Sequence, residues 1–288
     1  MHQLQQLRWY ARLVRLAPCL VIFALALEGY CLAIRRLEWP SGAALAAAGA
    51  AACALAFANA LNDLVDIAID RVNYPARPLV SGPIHARAAG RLVALLAVAS
   101  LACALAASAR MFWLTLLALL GAAVYSLWAS RVALLGNLIV ALLYSCAIIA
   151  GYCVAPGGTL PAIPFAGSFM FMLGREFVGT ISDAAGDRLG GRVSVCMLWG
   201  QRRVLGAGLV LALLASATLL SAGWFGSLAY ARLYCASMVC SSVLPLLYAV
   251  AALWRDARIE NIRAVGLRLR IIFVLNLGSF LLLIPARA

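Results

Sequence analysis

The feature that most limits how this chain can fold is a recurring apolar run of roughly twenty residues. Such runs lie at about 17–34, 42–61, 90–108, 111–129, 132–153, 161–181, 204–223, 229–253 and 269–286. Each is near the ~20 residues that carry an α-helix across the hydrocarbon core of a bilayer. Inside lipid every backbone polar group has to be satisfied within the protein, which favours helices over open structure. The expected fold is all-α: a polytopic membrane helical bundle of about nine transmembrane helices, with residues 1–288 forming a single transmembrane domain. Composition agrees, with 66% hydrophobic and only 11% charged residues, against about 25% charged in a soluble domain. The first run follows Arg8, Arg12 and Arg15, but no small-residue cleavage site is clear. It therefore reads as an uncleaved first span.

The formal net charge is +13, and the positive charge is all arginine. A basic balance can signal nucleic acid, but that needs a soluble basic face or an aromatic platform. Here the arginines sit in short connections between apolar runs, so no nucleic-acid partner is expected. Arg35, Arg36, Arg110, Arg232 and Arg287 fall on one side of the predicted spans and the other arginines on or near the opposite side. The positive-inside rule then puts the N-terminus and the connections after spans 2, 4, 6 and 8 in the cytoplasm, and the C-terminus outside. The expected setting is a bacterial inner membrane, with membrane lipid as a partner and the site opening to the cytoplasmic side. Nine cysteines are scattered without a C-x-x-C pair and read as small buried hydrophobes. His2 and His85 are the only histidines, which leaves little for zinc or haem.

Five of the ten acidic residues fall in two clusters at the ends of spans 2 and 6. Carboxylates at membrane depth are costly and functional by default. The first cluster reads Asn62-Asp63-Leu64-Val65-Asp66-Ile67-Ala68-Ile69-Asp70. Asn62, Asp66 and Asp70 are spaced i, i+4, i+8 and form one stripe on a continuing helix. Like charges at that spacing repel. A divalent cation removes the penalty, and oxygen ligands suit magnesium, whose shell is completed by water and substrate phosphates. In the second cluster Glu176, Thr180, Asp183 and Asp187 also share a stripe. Two such stripes on one membrane face could each hold a metal, bridged by a diphosphate. The rival reading is structural: the aspartates cap helix ends and pair with Arg71, Arg77, Arg188 and Arg192. After the first cluster, the prolines and glycine of Arg71–Gly82 predict an ordered loop rather than a helix. Arg77 is held there between two prolines, with a planar fork suited to phosphate.

The stretch Asn62-Asp63-x-x-Asp66-x-x-x-Asp70 resembles the N-D-x-x-D-x-x-x-D signature of the UbiA superfamily of intramembrane prenyltransferases. The continuation Arg71-x-Asn73-x-Pro75-x-Arg77-Pro78-Leu79-x-Ser81-Gly82 is similar to that family's, and Asp183-x-x-x-Asp187 matches its second acidic motif. Arg175-Glu176, Gly186, Tyr125-Ser126 and Gly136-Asn137 also stand where many members have them, so the likeness spans most of the chain. The resemblance implies two magnesium ions, a prenyl diphosphate donor and a small hydrophobic or aromatic acceptor. By position, Asn62, Asp66 and Asp70 would serve one metal, with Asp63 beside them, and Asp183 and Asp187 the other. Asp66, Asp70, Asp183 and Asp187 are then the catalytic candidates. Arg71, Asn73, Arg77, Arg131 and Arg188 are the expected diphosphate contacts. Two departures stand out: Ser130 lies where many members carry a lysine, and Gly179 and Thr180 lie where many carry a lysine and an aspartate.

Metal ions and arginines would stabilise the departing diphosphate, where negative charge develops. The allylic cation that remains needs a dry cavity. Tyr125, Trp128, Tyr144, Phe165, Phe169, Phe171 and Trp199 could face it with their rings, although most such aromatics end as plain core. An intermolecular nucleophile gives prenyl transfer, the preferred reading. An internal double bond gives cyclisation, as in the superfamily's terpene cyclases, and is the alternative. A second alternative is an ion-coupled transporter; against it, the acids lie at span ends and the spans lack Gly/Pro-broken pairs.

Overall fold

The computed structural model describes residues 2–225, 230–256 and 258–284. Its helices are α1 (His2–Leu13), α2 (Leu16–Ile34), α3 (Gly42–Val65), α4 (Ile67–Asn73), α5 (Pro78–Ser81), α6 (Ala86–Ala107), α7 (Ala109–Leu127), α8 (Leu135–Tyr152), α9 (Ala162–Leu189), α10 (Val195–Trp199), α11 (Gln201–Phe225), α12 (Ala231–Met238), α13 (Leu244–Arg255) and α14 (Ile259–Phe280). A π-helical turn, Val239–Val243, joins α12 to α13 into one long span. Among the described residues, eight helices are long and apolar enough to cross a bilayer. They coincide with eight of the predicted runs. The run at 161–181 corresponds to α9, which is longer, at 28 residues, and carries the charged residues of the second cluster. α9 is not among the eight, so the described residues show eight such helices where nine runs were expected. The start of the eighth predicted run, the end of the ninth and Arg287 lie outside the described residues.

α9 sits among its neighbours rather than at the edge. Phe171, Met172, Phe177 and Val178 pack into the largest apolar cluster with residues of α2, α8, α11 and α14. Helices approach closely in membranes where small residues remove side-chain bulk. Two crossings depend on this. A Cβ on Gly151 of α8 would lie 2.2 Å from the Ala26 carbonyl oxygen of α2, and one on Gly29 would lie 2.2 Å from the Ile148 carbonyl oxygen. Gly174 of α9 and Gly208 of α11 meet in the same way. Ser41 and Ser108 cap α3 and α7, each accepting from a backbone N–H three residues on.

The two long connections, 66–85 and 190–200, close one end of the bundle. They are more helical than the prolines suggest. Pro78 occupies the first turn of α5 and Gly82, at φ +90°, ends it. A proline at the first helical position loses no hydrogen bond the helix would have made, so the predicted loop holds a short helix instead. α1 lies over this end, with Trp9, Tyr10 and Leu13 packed against Leu79 and Ile84.

Candidate active site

The expected stripe of Asn62, Asp66 and Asp70 is broken at its middle. α3 stops at Val65 and α4 begins at Ile67, with Asp66 between them at φ −96°, ψ 14°. The hydrogen-bond ladder nearly survives, since the Asp66 N–H reaches the Asn62 carbonyl (2.9 Å) and the Asp70 N–H reaches that of Asp66 (2.8 Å). The side chains nevertheless part company. Asp63 and Asp70 both accept from Arg77, whose contact with Asp63 is 3.0 Å. Asp63 also accepts from Arg15 at 2.7 Å. Asp66 instead turns toward Arg192, 126 positions later, and Arg192 stands 3.9 Å from Asp187 of the second motif. One arginine therefore joins the two acidic motifs at the same end of the bundle, as the two-stripe reading requires.

Asp63, Asp66 and Asp70 are all under 5% exposed. Burial penalises the charged form of a carboxylate. It pushes Asp70 up to about 6 against the opposing pull of Arg77, and raises Asp66 against Arg192. The rival structural reading is thus right for Arg77 and Arg192, which are ion-paired. It fails for Arg71 and Arg188, which are exposed and make no ion pair among the described residues.

A cavity of about 490 Å³ opens between α4, α7, α8, α9, the 190–194 connection and α14. Asp183, Asp187, Glu176, Arg175 and Arg192 line it, as do Ser130, Gly179 and Thr180, the three positions that depart from the family pattern. At Gly179 nothing stands within 4 Å of where a Cβ would be. Tyr125 and Tyr74 line it too; of the seven aromatic candidates Tyr125 alone does so. Phe171 is core, stacked on Phe273, and Trp199 packs edge-on to Phe177.

Of the five expected diphosphate contacts, the structure brings Asn73 to the cavity lining. Arg71, Arg131 and Arg188 are exposed and do not line the cavity. Arg77 is stacked on the Tyr74 ring (4.3 Å) and held by two carboxylates, so its fork is occupied. Asn73 is a clamp: its amide donates to the Asp183 carbonyl (3.0 Å) and accepts from the Gly186 N–H (2.9 Å). Beside it the Tyr74 hydroxyl donates to Asp183. The motif continuation thus docks α4 on α9 and fixes the distance between the two acidic clusters. The cavity's own cations are Arg175, Arg192, Arg263 and Arg270. The last two escaped the sequence reading. The available signal was their i, i+7 spacing, with Gly266 between them on the same face.

Gly186 permits this docking, because a Cβ there would lie 2.4 Å from the Asn73 amide nitrogen. Gly186→Ala is expected to break both Asn73 bonds and cost about 2 kcal/mol at about 1 kcal/mol per hydrogen bond. Thermal unfolding of the purified variant in detergent checks this; an unchanged midpoint would mean that the clamp contributes nothing.

The side chains present fit magnesium in kind. The candidate donors are all oxygens, and the buried Asn62 Oδ1 has no hydrogen-bond partner. Among the described residues no three carboxylates converge on one point. Arg77 and Arg192 stand between them and supply the neutralising charge.

The chain resembles known proteins in sequence and in fold. A digeranylgeranylglyceryl phosphate synthase from Methanocaldococcus jannaschii is 26% identical over 96% of both chains. A solved structure concerning digeranylgeranylglyceryl phosphate synthase in membranes superposes with a TM-score of 0.73 at 25% identity, covering 96% of this chain and 97% of the other. A UbiA homolog from Archaeoglobus fulgidus, bound to DMAPP and Mg2+, superposes with a TM-score of 0.74 at 19% identity, over 96% and 98% of the two chains. The model of the UbiA prenyltransferase family matches residues 20–277. This integral membrane protein therefore belongs to the UbiA prenyltransferase family and is a prenyltransferase.

Proposed function

We propose that the chain is a magnesium-dependent enzyme moving an isoprenoid group from a prenyl diphosphate to an acceptor within the 490 Å³ cavity. One observation carries this reading: two aspartate motifs meet at one rim, joined through Arg192. The proposed ligands are Asn62, Asp66 and Asp70 for one ion and Asp183 and Asp187 for the other. Bound there, magnesium would neutralise the diphosphate and ease its departure. Asp63 is given a different role, as the anchor of Arg15 and Arg77.

The rest is the work of the chain's own residues. Arg192, placed between Asp66 and Asp187, is positioned to donate to the departing diphosphate. As the donor's carbon–oxygen bond breaks, the electron pair leaves with the diphosphate. The acceptor's electron pair then forms the new bond to carbon, and the acceptor's proton passes to solvent. Val132, Ala133 and Val178 line the cavity without polar groups, and Tyr125 offers a ring face to developing positive charge. The expected orientation, with this rim toward the cytoplasm, is supported by the arginine asymmetry.

The test is to incubate purified protein with magnesium and geranyl, farnesyl or geranylgeranyl diphosphate, with and without acceptors. Transfer predicts little diphosphate release until an acceptor is added, and none in EDTA. Rapid release without acceptor, with a cyclic product, would replace transfer by cyclisation.

A further inference from the structure

The five motif aspartates are not held alike. Asp63 and Asp70 pair with Arg77, Asp66 pairs with Arg192, and Asp187 stands 3.9 Å from Arg192. Asp183 alone among them has no arginine within ion-pair distance among the described residues. Its side-chain partner is neutral: the Tyr74 hydroxyl donates to its Oδ1. Two polar residues on its own stripe of α9 are engaged elsewhere. The Thr180 hydroxyl donates to the Phe177 carbonyl (2.8 Å), and Glu176 is paired with Arg175.

Tyr74 is itself well fixed. It closes α4, with its N–H on the Asp70 carbonyl (2.8 Å). Its ring lies 4.3 Å from the guanidinium of Arg77, the cation that holds Asp63 and Asp70. Its neighbour Asn73 donates to the main-chain carbonyl of Asp183 at 3.0 Å. Two consecutive residues therefore grip Asp183, Asn73 by its backbone and Tyr74 by its carboxylate. The first contact sets where the residue sits. The second sets how its carboxylate is turned, because one oxygen is taken and the other is left.

Charge explains what a tyrosine does here that an arginine would not. An arginine would cancel the carboxylate's charge, on which attraction for a divalent cation depends. A phenol orients the group and leaves its charge in place. In metal sites the outer partners of ligating carboxylates act in this way, and losing one costs about 10–100-fold in metal affinity.

We infer that Tyr74 is a positioning residue for the metal site of the second motif: its hydroxyl fixes the Asp183 carboxylate through Oδ1 and leaves Oδ2 for the ion. The inference rests on the magnesium reading of the rim. It gives one side chain two duties, with the ring against the cation of the first motif and the hydroxyl on a carboxylate of the second.

The test is binding of Mn2+ alone to the purified full chain, read from the electron paramagnetic resonance of the free ion. Tyr74→Phe keeps the ring and removes the hydroxyl, and should weaken Mn2+ binding about tenfold or more. Tyr74 is 39% exposed, so water can replace the lost hydrogen bond. The thermal unfolding midpoint should therefore stay within about 2 °C of the wild type. In an Asp183→Ala background the same substitution should cost no further affinity, because the two groups act as one. Tyr74→Leu should match Tyr74→Phe in Mn2+ binding and also lower the midpoint, since Arg77 then loses the ring face. Wild-type affinity in Tyr74→Phe would overturn the inference, as would an equal loss in the Asp183→Ala background. A Tyr74→Phe midpoint that falls along with the affinity would make the hydroxyl a support of the fold and overturn it too. A wild type that binds no Mn2+ would instead remove the magnesium reading itself, and this inference with it.

Discussion

Asp66→Ala is expected to reduce turnover at saturating donor by about a thousandfold, the loss typical when a group stabilising developing charge is removed. Asp66 stands at the break between α3 and α4 and is the one member of the first motif that reaches the second, through Arg192. Its removal strips a proposed metal ligand and also releases Arg192 from its place. Asp187→Ala should behave alike, because it faces the same arginine from the other side. Titration with Mn2+ gives a readout besides activity, and both variants should show weakened metal binding. The thermal unfolding midpoint shows whether each remains folded. Activity within tenfold of wild type in a folded Asp66→Ala would move the chemistry away from this rim.

The second large effect concerns stability. Arg77→Ala should destabilise the protein by about 3–5 kcal/mol, because removing one partner leaves buried carboxylates uncompensated. Asp70 loses its only ion-pair partner among the described residues, while Asp63 keeps Arg15. Arg77→Lys should fall between, since an ammonium keeps the charge but not the fork that spans both carboxylates. Magnesium should raise the unfolding midpoint of Arg77→Ala more than that of the wild type, as it supplies the missing positive charge. Arg71→Ala, exposed on the same segment, should change stability by less than about 0.5 kcal/mol. Equal midpoints for the two alanine variants would remove Arg77 from its role as the charge clamp.

Both expectations come from how the arginines divide. Arg15 and Arg77 are consumed by the first acidic motif, and Arg192 ties it to the second. Arg15 does so from a left-handed backbone turn, φ 54°, between α1 and α2, where its guanidinium also donates to Asn59. As a sequence feature Arg15 looks like one more positive-inside charge. Its actual work depends on α1 and α2 folding back onto α3, a long-range arrangement that charge counting does not contain.

The helical bundle, the spans and the location of the acids at span ends are all legible in the order of residues. Those are local properties: a twenty-residue apolar run satisfies its own backbone hydrogen bonds wherever its neighbours lie. The same order also determined that both motifs share one face, because both follow even-numbered spans. Which cation meets which carboxylate emerges from the packed chain alone. That the Asn73 amide spans α4 and α9 is visible only in the folded chain, and Gly186 had no assigned purpose until that contact required it. Arg263 and Arg270 looked like ordinary charges of the last span until α14 was packed against α9 with their face to the cavity. The partner of Asp66 is set by packing between segments 126 residues apart, and no local pattern carries that information.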